Sequence, residues 1–389
     1  IMSVIQSISY RKVLNSHVKF TNEFVIRLAD GSSGHAASPQ GETISIYEDK
    51  KPSSDPQSII QAISNNGLMG KEVNQEQFDD FLQQHTGQFG RNNTFALSEA
   101  FFNAQSGSQS PFEIFGIPEQ KLNPPRLCLN ILNGGWHAYT NPVLCDFPEI
   151  MLVARSTDAN EVIGEHNEIQ HAVREHQLQQ SKTVISGNPV NRFDRCDNQS
   201  PIEFLLNTVD KVGLSGKYDL MIDASASDLW GGSHYALDVT GGQACSSEQF
   251  TEYWLDIIRQ YPLRFLEDPF HEQDYQSWQA LTTAQQKTLI IGDNLYSSDE
   301  ARIAEGAGKQ LTHGAVIKLN QAGTITAARK AVDAALSAGQ IPLTSQRSIG
   351  TEPAYLPLLA CLFGAPYTKI GPLRSESSSL MRLNEMMRL

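Results

Sequence analysis

The sequence predicts a closed α/β barrel preceded by a smaller α+β domain, on three observations. From residue 216 onward short apolar runs recur, and each ends in a polar residue: YDLMID, LRFLED, TLIIGD, AVIKLN and IPLTSQ. Four of the segments between them carry amphipathic helical patterns. A chain of 389 residues also exceeds one ordinary core, and it suits a barrel of about 250 residues with one further domain.

Residues 1–112 read as the smaller α+β domain. Residues 5–14 and 23–28 have strand character, and residues 58–65 and 76–86 have helical periodicity. The Gly/Ser/Pro-rich stretch 30–39 reads as a loop. Composition turns to Gly, Ser and Pro at residues 106–111, which places the boundary there and assigns 113–389 to the barrel.

In the barrel half the run-ending residues are Asp223, Glu267, Asp293, Lys318 and Gln346, at intervals of 44, 26, 25 and 28 residues. Each interval holds one strand and one helix, the first with a hairpin-like insertion. Ser246-x-x-Gln249 and Ser297-x-x-Glu300 read as capping boxes, and Gly339 closes the alanine-rich helix 324–338. Continuous apolar strands alternating with amphipathic helices imply a parallel sheet buried on both faces. Polar residues at successive strand ends converge on one point only if that sheet closes.

Convergence gives those residues a chemistry. Asp223, Glu267 and Asp293 form an all-oxygen carboxylate set, which suits Mg²⁺ rather than zinc. Lys318 ends the next strand among apolar neighbours, where a facing metal ion would lower its pKa and make it a usable base. Metal plus lysine at this spacing is the pattern for removing a proton beside a carboxylate, with the resulting enediolate charge taken up by the metal. Any one of these acids alone would read as a solvated strand cap. Three in register, followed by a lysine, do not.

Composition excludes several other classes. The net charge of −13, without any Lys/Arg run, argues against nucleic acid. No stretch of about 18 apolar residues suggests a membrane span. Five cysteines without a CxxC pair indicate neither zinc nor a disulfide framework, and with an N-terminus lacking an apolar leader core they point to the cytoplasm. His166, His171 and His176 are five apart and read as a solvated helix face, not as metal ligands.

The motifs KYDLMIDASASDLW, YPLRFLEDPFHEQDYQSW, LIIGDNL, AVIKLNQAGTITAA and SQRSIGTE resemble the successive strand-end motifs of the enolase family. The likeness extends back through LNILNGGWHAYTNPVLCDF to YRKVLNSHVKFTNEFVIRLADG. It implies a modified (β/α)8 TIM-type barrel of enolase type with an N-terminal capping domain, assembly as a homodimer, and Mg²⁺ held by Asp223, Glu267 and Asp293 with Lys318 as base. By the same matching Arg347 and Ser348 hold a substrate phosphate, Lys369 holds its carboxylate, and His137 lies over the substrate. Arg374-Ser375-Glu376 matches a family segment of structural or dimer-contact character.

The chain also departs from the family pattern. Where the family carries a glutamate in a Gly-Asp-Glu-Gly-Gly loop, Val184-Ile185-Ser186-Gly187-Asn188-Pro189 has no carboxylate. The family's second acid matches Asp146, the mobile lid becomes Pro39-Gln40-Gly41-Glu42-Thr43, Gln346 replaces a substrate-side histidine, and Asn294 replaces an aspartate. These changes imply altered chemistry on a small phosphorylated or phosphonate carboxylate, as in the homologues that make carboxyphosphonoenolpyruvate. The alternatives are dehydration of 2-phosphoglycerate with Asp146 as the acid, and a non-catalytic binding protein.

Overall fold

The computed structural model describes residues 1–389 apart from 42–43, 50–53, 136–139, 181–190, 353–354 and 374–375. The N-terminal cap is built on a sheet of four strands, β1 (Ser3–Leu14), β2 (Phe20–Leu28), β3 (Ser33–Ala37) and β4 (Glu72–Val73), in the order β3-β2-β1-β4 with antiparallel pairing. On β2 the alternating residues Phe24, Ile26 and Leu28 face inward and are buried against helices Pro56–Asn65, Gln75–Gln84 and Arg91–Gln105. Asp55 caps the first of these helices, and Asn74 with Gln77 forms a capping box on the second.

Strand β3 lies inside the stretch whose composition reads as a loop. Its glycine serves close packing: a Cβ at Gly34 would stand 2.1 Å from the backbone N of Ala104. Composition registers the glycine but not the helix that presses on it.

The remaining strands are β5 (Arg126–Asn133), β6 (Glu149–Ala154), β7 (Tyr218–Asp223), β8 (Leu263–Glu267), β9 (Leu289–Gly292), β10 (Gly314–Lys318), β11 (Ile341–Ser345) and β12 (Tyr367–Lys369). They close into a barrel in the order β10-β11-β12-β5-β6-β7-β8-β9. The sheet is not wholly parallel, since β6 runs antiparallel to both β5 and β7. Its first residue, Glu149, therefore pairs in register with Asp223, the last residue of β7. Cys128, Met151, Val153, Met221, Phe265 and Val316 fill the barrel interior, while a larger apolar layer packs the strands against the helices.

Ser246 and Gln249 form the expected capping box on helix Ser247–Gln260. At the second expected box the cap is Asp299, on helix Glu300–Gly308, because Ser297 and Ser298 are buried in left-handed conformations, φ 46° and 57°. Thr324 caps helix Ile325–Ser337, and Gly339, at φ 71°, follows its end.

That helix start also locks the cap to the barrel. Asp79 accepts from Thr326 N (2.9 Å) and Oγ1 (2.6 Å), and Ser98 Oγ accepts from Ile325 N at 3.0 Å. Two otherwise unsatisfied helix N–H groups thus find partners in the other domain. Among the described residues no helix is long and apolar enough to cross a membrane.

Candidate active site

The C-terminal ends of the parallel strands open into a cavity of about 470 Å³. Glu149, Asp223, Asp293, Lys318, Gln346, Arg347, Ser348 and Lys369 line it. The expected strand-end residues are thus brought together by barrel closure. Glu267 lies fully buried beneath, within reach of Lys369.

Two ammonium groups organise the acids. Lys369 Nζ lies 2.8 Å from Glu267 Oε2, 2.9 Å from Glu149 Oε2 and 3.4 Å from Asp223 Oδ2. Lys318 Nζ lies 2.5 Å from Asp293 Oδ2. Burial disfavours the charge on Lys318, but Asp293 outweighs it and holds the ammonium above the ordinary lysine range. Lys369 shifts up further, since Glu149, Glu267 and Asp223 together overcome its burial.

Burial pushes the Asp223, Glu267 and Asp268 carboxyls up, with acidic neighbours adding to the effect. Asp268 supports the site without lining the cavity: its oxygens accept from the backbone N of Asp293 (2.8 Å) and Asn294 (2.9 Å). Ser225 N and Oγ donate to Asp223 Oδ1, each at 3.0 Å.

Among the described residues no three His, Cys, Asp or Glu side chains form a ready metal-ligand cluster; the carboxylates hold ammonium groups instead. Two features nevertheless fit a cation. Glu267 Oε1 and Asp293 Oδ1 are buried without a hydrogen-bond donor. Glu149, Asp223, Glu267, Asp268 and Asp293 also outnumber Lys318 and Lys369. An oxygen-only donor set with surplus negative charge suits a hard divalent ion such as Mg²⁺.

Asp146 is not part of this constellation. It is buried outside the cavity lining, where its oxygens accept from Val239 N (2.8 Å), Thr240 Oγ1 (2.6 Å) and Asn198 Nδ2 (3.0 Å). The acid that lines the cavity on this segment is Glu149, held by Asn130 Nδ2 at 3.0 Å. The sequence carried a signal for it: Glu149 precedes the apolar run IMLVA, a polar strand end in reverse order. His137, Thr43, the 184–189 segment and Arg374–Ser375 lie outside the described residues. His166 is buried, with Gln170 Nε2 3.2 Å from its ring Nε2, so the helix face expected to be solvated is partly internal.

The sequence also gave no notice of Glu48. Its Oε1 accepts from Arg347 Nη1 at 2.7 Å, while Oε2 accepts from Ser45 N (2.9 Å) and Gln321 Nε2 (3.3 Å). Ser45 Oγ in turn donates to Asn294 O at 2.8 Å. The cap segment therefore reaches down to the buried Arg347 guanidinium, and a Cβ at Gly41 would meet Arg347 Nη2.

Fold and site together define a cap-covered α/β barrel with a carboxylate–lysine centre at its mouth. A family model described as "Enolase, C-terminal TIM barrel domain" matches residues 122–389. The enolase of Acidothermus cellulolyticus is 28% identical over 420 aligned residues, covering 100% of this chain and 94% of that one. Enolase 1 of Chlorobaculum tepidum is 26% identical, covering 99% and 95% respectively. The chain belongs to the enolase family.

Proposed function

We propose that this protein is a Mg²⁺-dependent acid–base enzyme that removes the α-proton of a small phosphorylated or phosphonate carboxylate. The observation that best supports this reading is the placement of Lys318 and Lys369 among buried carboxylates in one cavity with Arg347. Lys318 takes the proton in its neutral form. Lys369 anchors the substrate carboxylate, and Arg347 with Ser348 holds the phosphate or phosphonate, Gln346 lying beside them. Held by Asp223, Glu267 and Asp293, Mg²⁺ would offset the negative charge that develops on the substrate carboxylate.

The segment 184–189 carries no carboxylate, and Gln346 cannot act as an imidazole would. Both favour chemistry altered at the leaving-group side, of the carboxyphosphonoenolpyruvate-forming kind. A second reading, dehydration of 2-phosphoglycerate, draws support from Glu149, which supplies an acid to the cavity. It draws support also from relatives that carry the name enolase.

Solvent exchange tests the shared step. With 2-phosphoglycerate in deuterated buffer, Mg²⁺-dependent loss of the α-proton signal is expected, and Lys318→Ala abolishes it. Absence of exchange in the wild-type protein with both 2-phosphoglycerate and phosphonate analogues would remove the reading. Phosphoenolpyruvate formation, followed by absorbance, then separates dehydration from altered chemistry.

A further inference from the structure

The deep cations of the cavity all have carboxylate partners: Lys318 has Asp293, Lys369 has Glu149 and Glu267, and Arg347 has Glu48. Lys19 differs. It lines the mouth on the turn between β1 and β2, and its ammonium has no carboxylate or hydrogen-bond partner among the described residues.

This turn is firmly built. Asn15 Oδ1 accepts from the backbone N of His17 (3.0 Å) and Lys19 (3.1 Å), and Asn15 N donates to Lys19 O at 2.9 Å. Ser16 N donates to Gly350 O, and Gly350 N donates to Ser16 Oγ, each at 2.9 Å, which fixes the turn against the loop after Arg347. Between His17 and Lys19, Val18 sits at φ 58° and is 75% exposed. A β-branched residue in the left-handed region is strained, and such strain is retained where surrounding bonds over-determine it.

The cavity is also large for the chemistry at its floor. At about 470 Å³ it falls in the range of roughly 300–1,000 Å³ that encloses drug-sized ligands. A three-carbon acid with one phosphate or phosphonate is smaller than that volume. We propose that Lys19 binds a distal carboxylate of a substrate longer than three carbons, whose reacting end is held by Lys318, Lys369 and Arg347. This rests on the reading of the floor as the reacting centre and adds the substrate's length and second anionic end.

The test is calorimetric titration at fixed free Mg²⁺ with two probes. Phosphonoacetate carries only the phosphonate and its neighbouring carboxylate; 2-phosphonobutane-1,2,4-tricarboxylate adds two carboxylate arms to the same core. The wild-type protein is expected to bind the longer probe about tenfold more tightly, the worth of one charge-assisted contact. Lys19→Ala removes that advantage and leaves phosphonoacetate affinity unchanged, while Lys19→Arg retains it. An equal affinity for the two probes in the wild type, or an advantage that survives Lys19→Ala, overturns the proposal. The floor is judged separately: phosphonoacetate binding that is indifferent to Arg347→Ala would contradict the reading of the reacting centre, whatever Lys19 does.

Discussion

Glu149 and Lys318 stand on opposite sides of the barrel mouth. Their strands, β6 and β10, are four places apart in an eight-strand ring. β10 ends at the mouth with Lys318, whereas β6 begins there with Glu149 because it runs against its neighbours. The two side chains thus line the cavity from opposite walls, and on the proposed reading this would let one take a proton from one face of the substrate while the other serves a leaving group on the other.

That opposition predicts different outcomes for two acids close in sequence. Glu149→Gln should lower kcat by about 10²–10⁴ if the reaction expels a leaving group. Asp146→Asn should act on stability rather than on turnover. Its oxygens serve Val239, Thr240 and Asn198, so stability should fall by about 1–3 kcal/mol with kcat nearly unchanged. Steady-state kinetics beside denaturant unfolding of both variants checks the pair.

Glu48 fixes the orientation of Arg347. Glu48→Gln should weaken that charge-assisted bond and raise KM about tenfold, with a smaller change in kcat. The KM-to-kcat split is the readout, since loss of folding would lower apparent kcat alone.

Stability should fall as pH rises, and the buried Glu99 should account for much of the slope. Burial raises its pKa from 4.5 to about 8, against the opposing pull of Arg382. Between those values the folded protein holds a proton that the unfolded chain has released. Stability present below pH 4.5 is therefore lost towards pH 8, at about 1.4 kcal/mol per pH unit for this one group. Asp79, raised by burial to about 6, contributes in the same direction over the lower part of that window. Glu99→Gln should flatten the profile; an unchanged slope in urea melts at successive pH values would remove Glu99 as its cause.

Much of this was legible in the chain. Asp223, Glu267, Asp293 and Lys318 announced themselves because each closes an apolar run, and barrel closure brings such ends together. Glu149 was hidden by direction: a search of strand C-termini passes over a strand that enters at the mouth. Asp146 drew attention by its place after the NGG motif, but its environment is set by Asn198 and Thr240, distant residues whose approach no local pattern encodes. Glu48 and Glu99 owe their roles to contacts across the two domains or to burial, and both look like ordinary surface acids in sequence.

The cation is the point on which the account turns, and anomalous scattering from crystals grown with Mn²⁺ in place of Mg²⁺ tests it most directly. The expected map has a peak among Asp223, Glu267 and Asp293, beside Glu267 Oε1 and Asp293 Oδ1, which are two of the buried oxygens without a donor. A map with no peak among Asp223, Glu267 and Asp293 at saturating Mn²⁺ would contradict it.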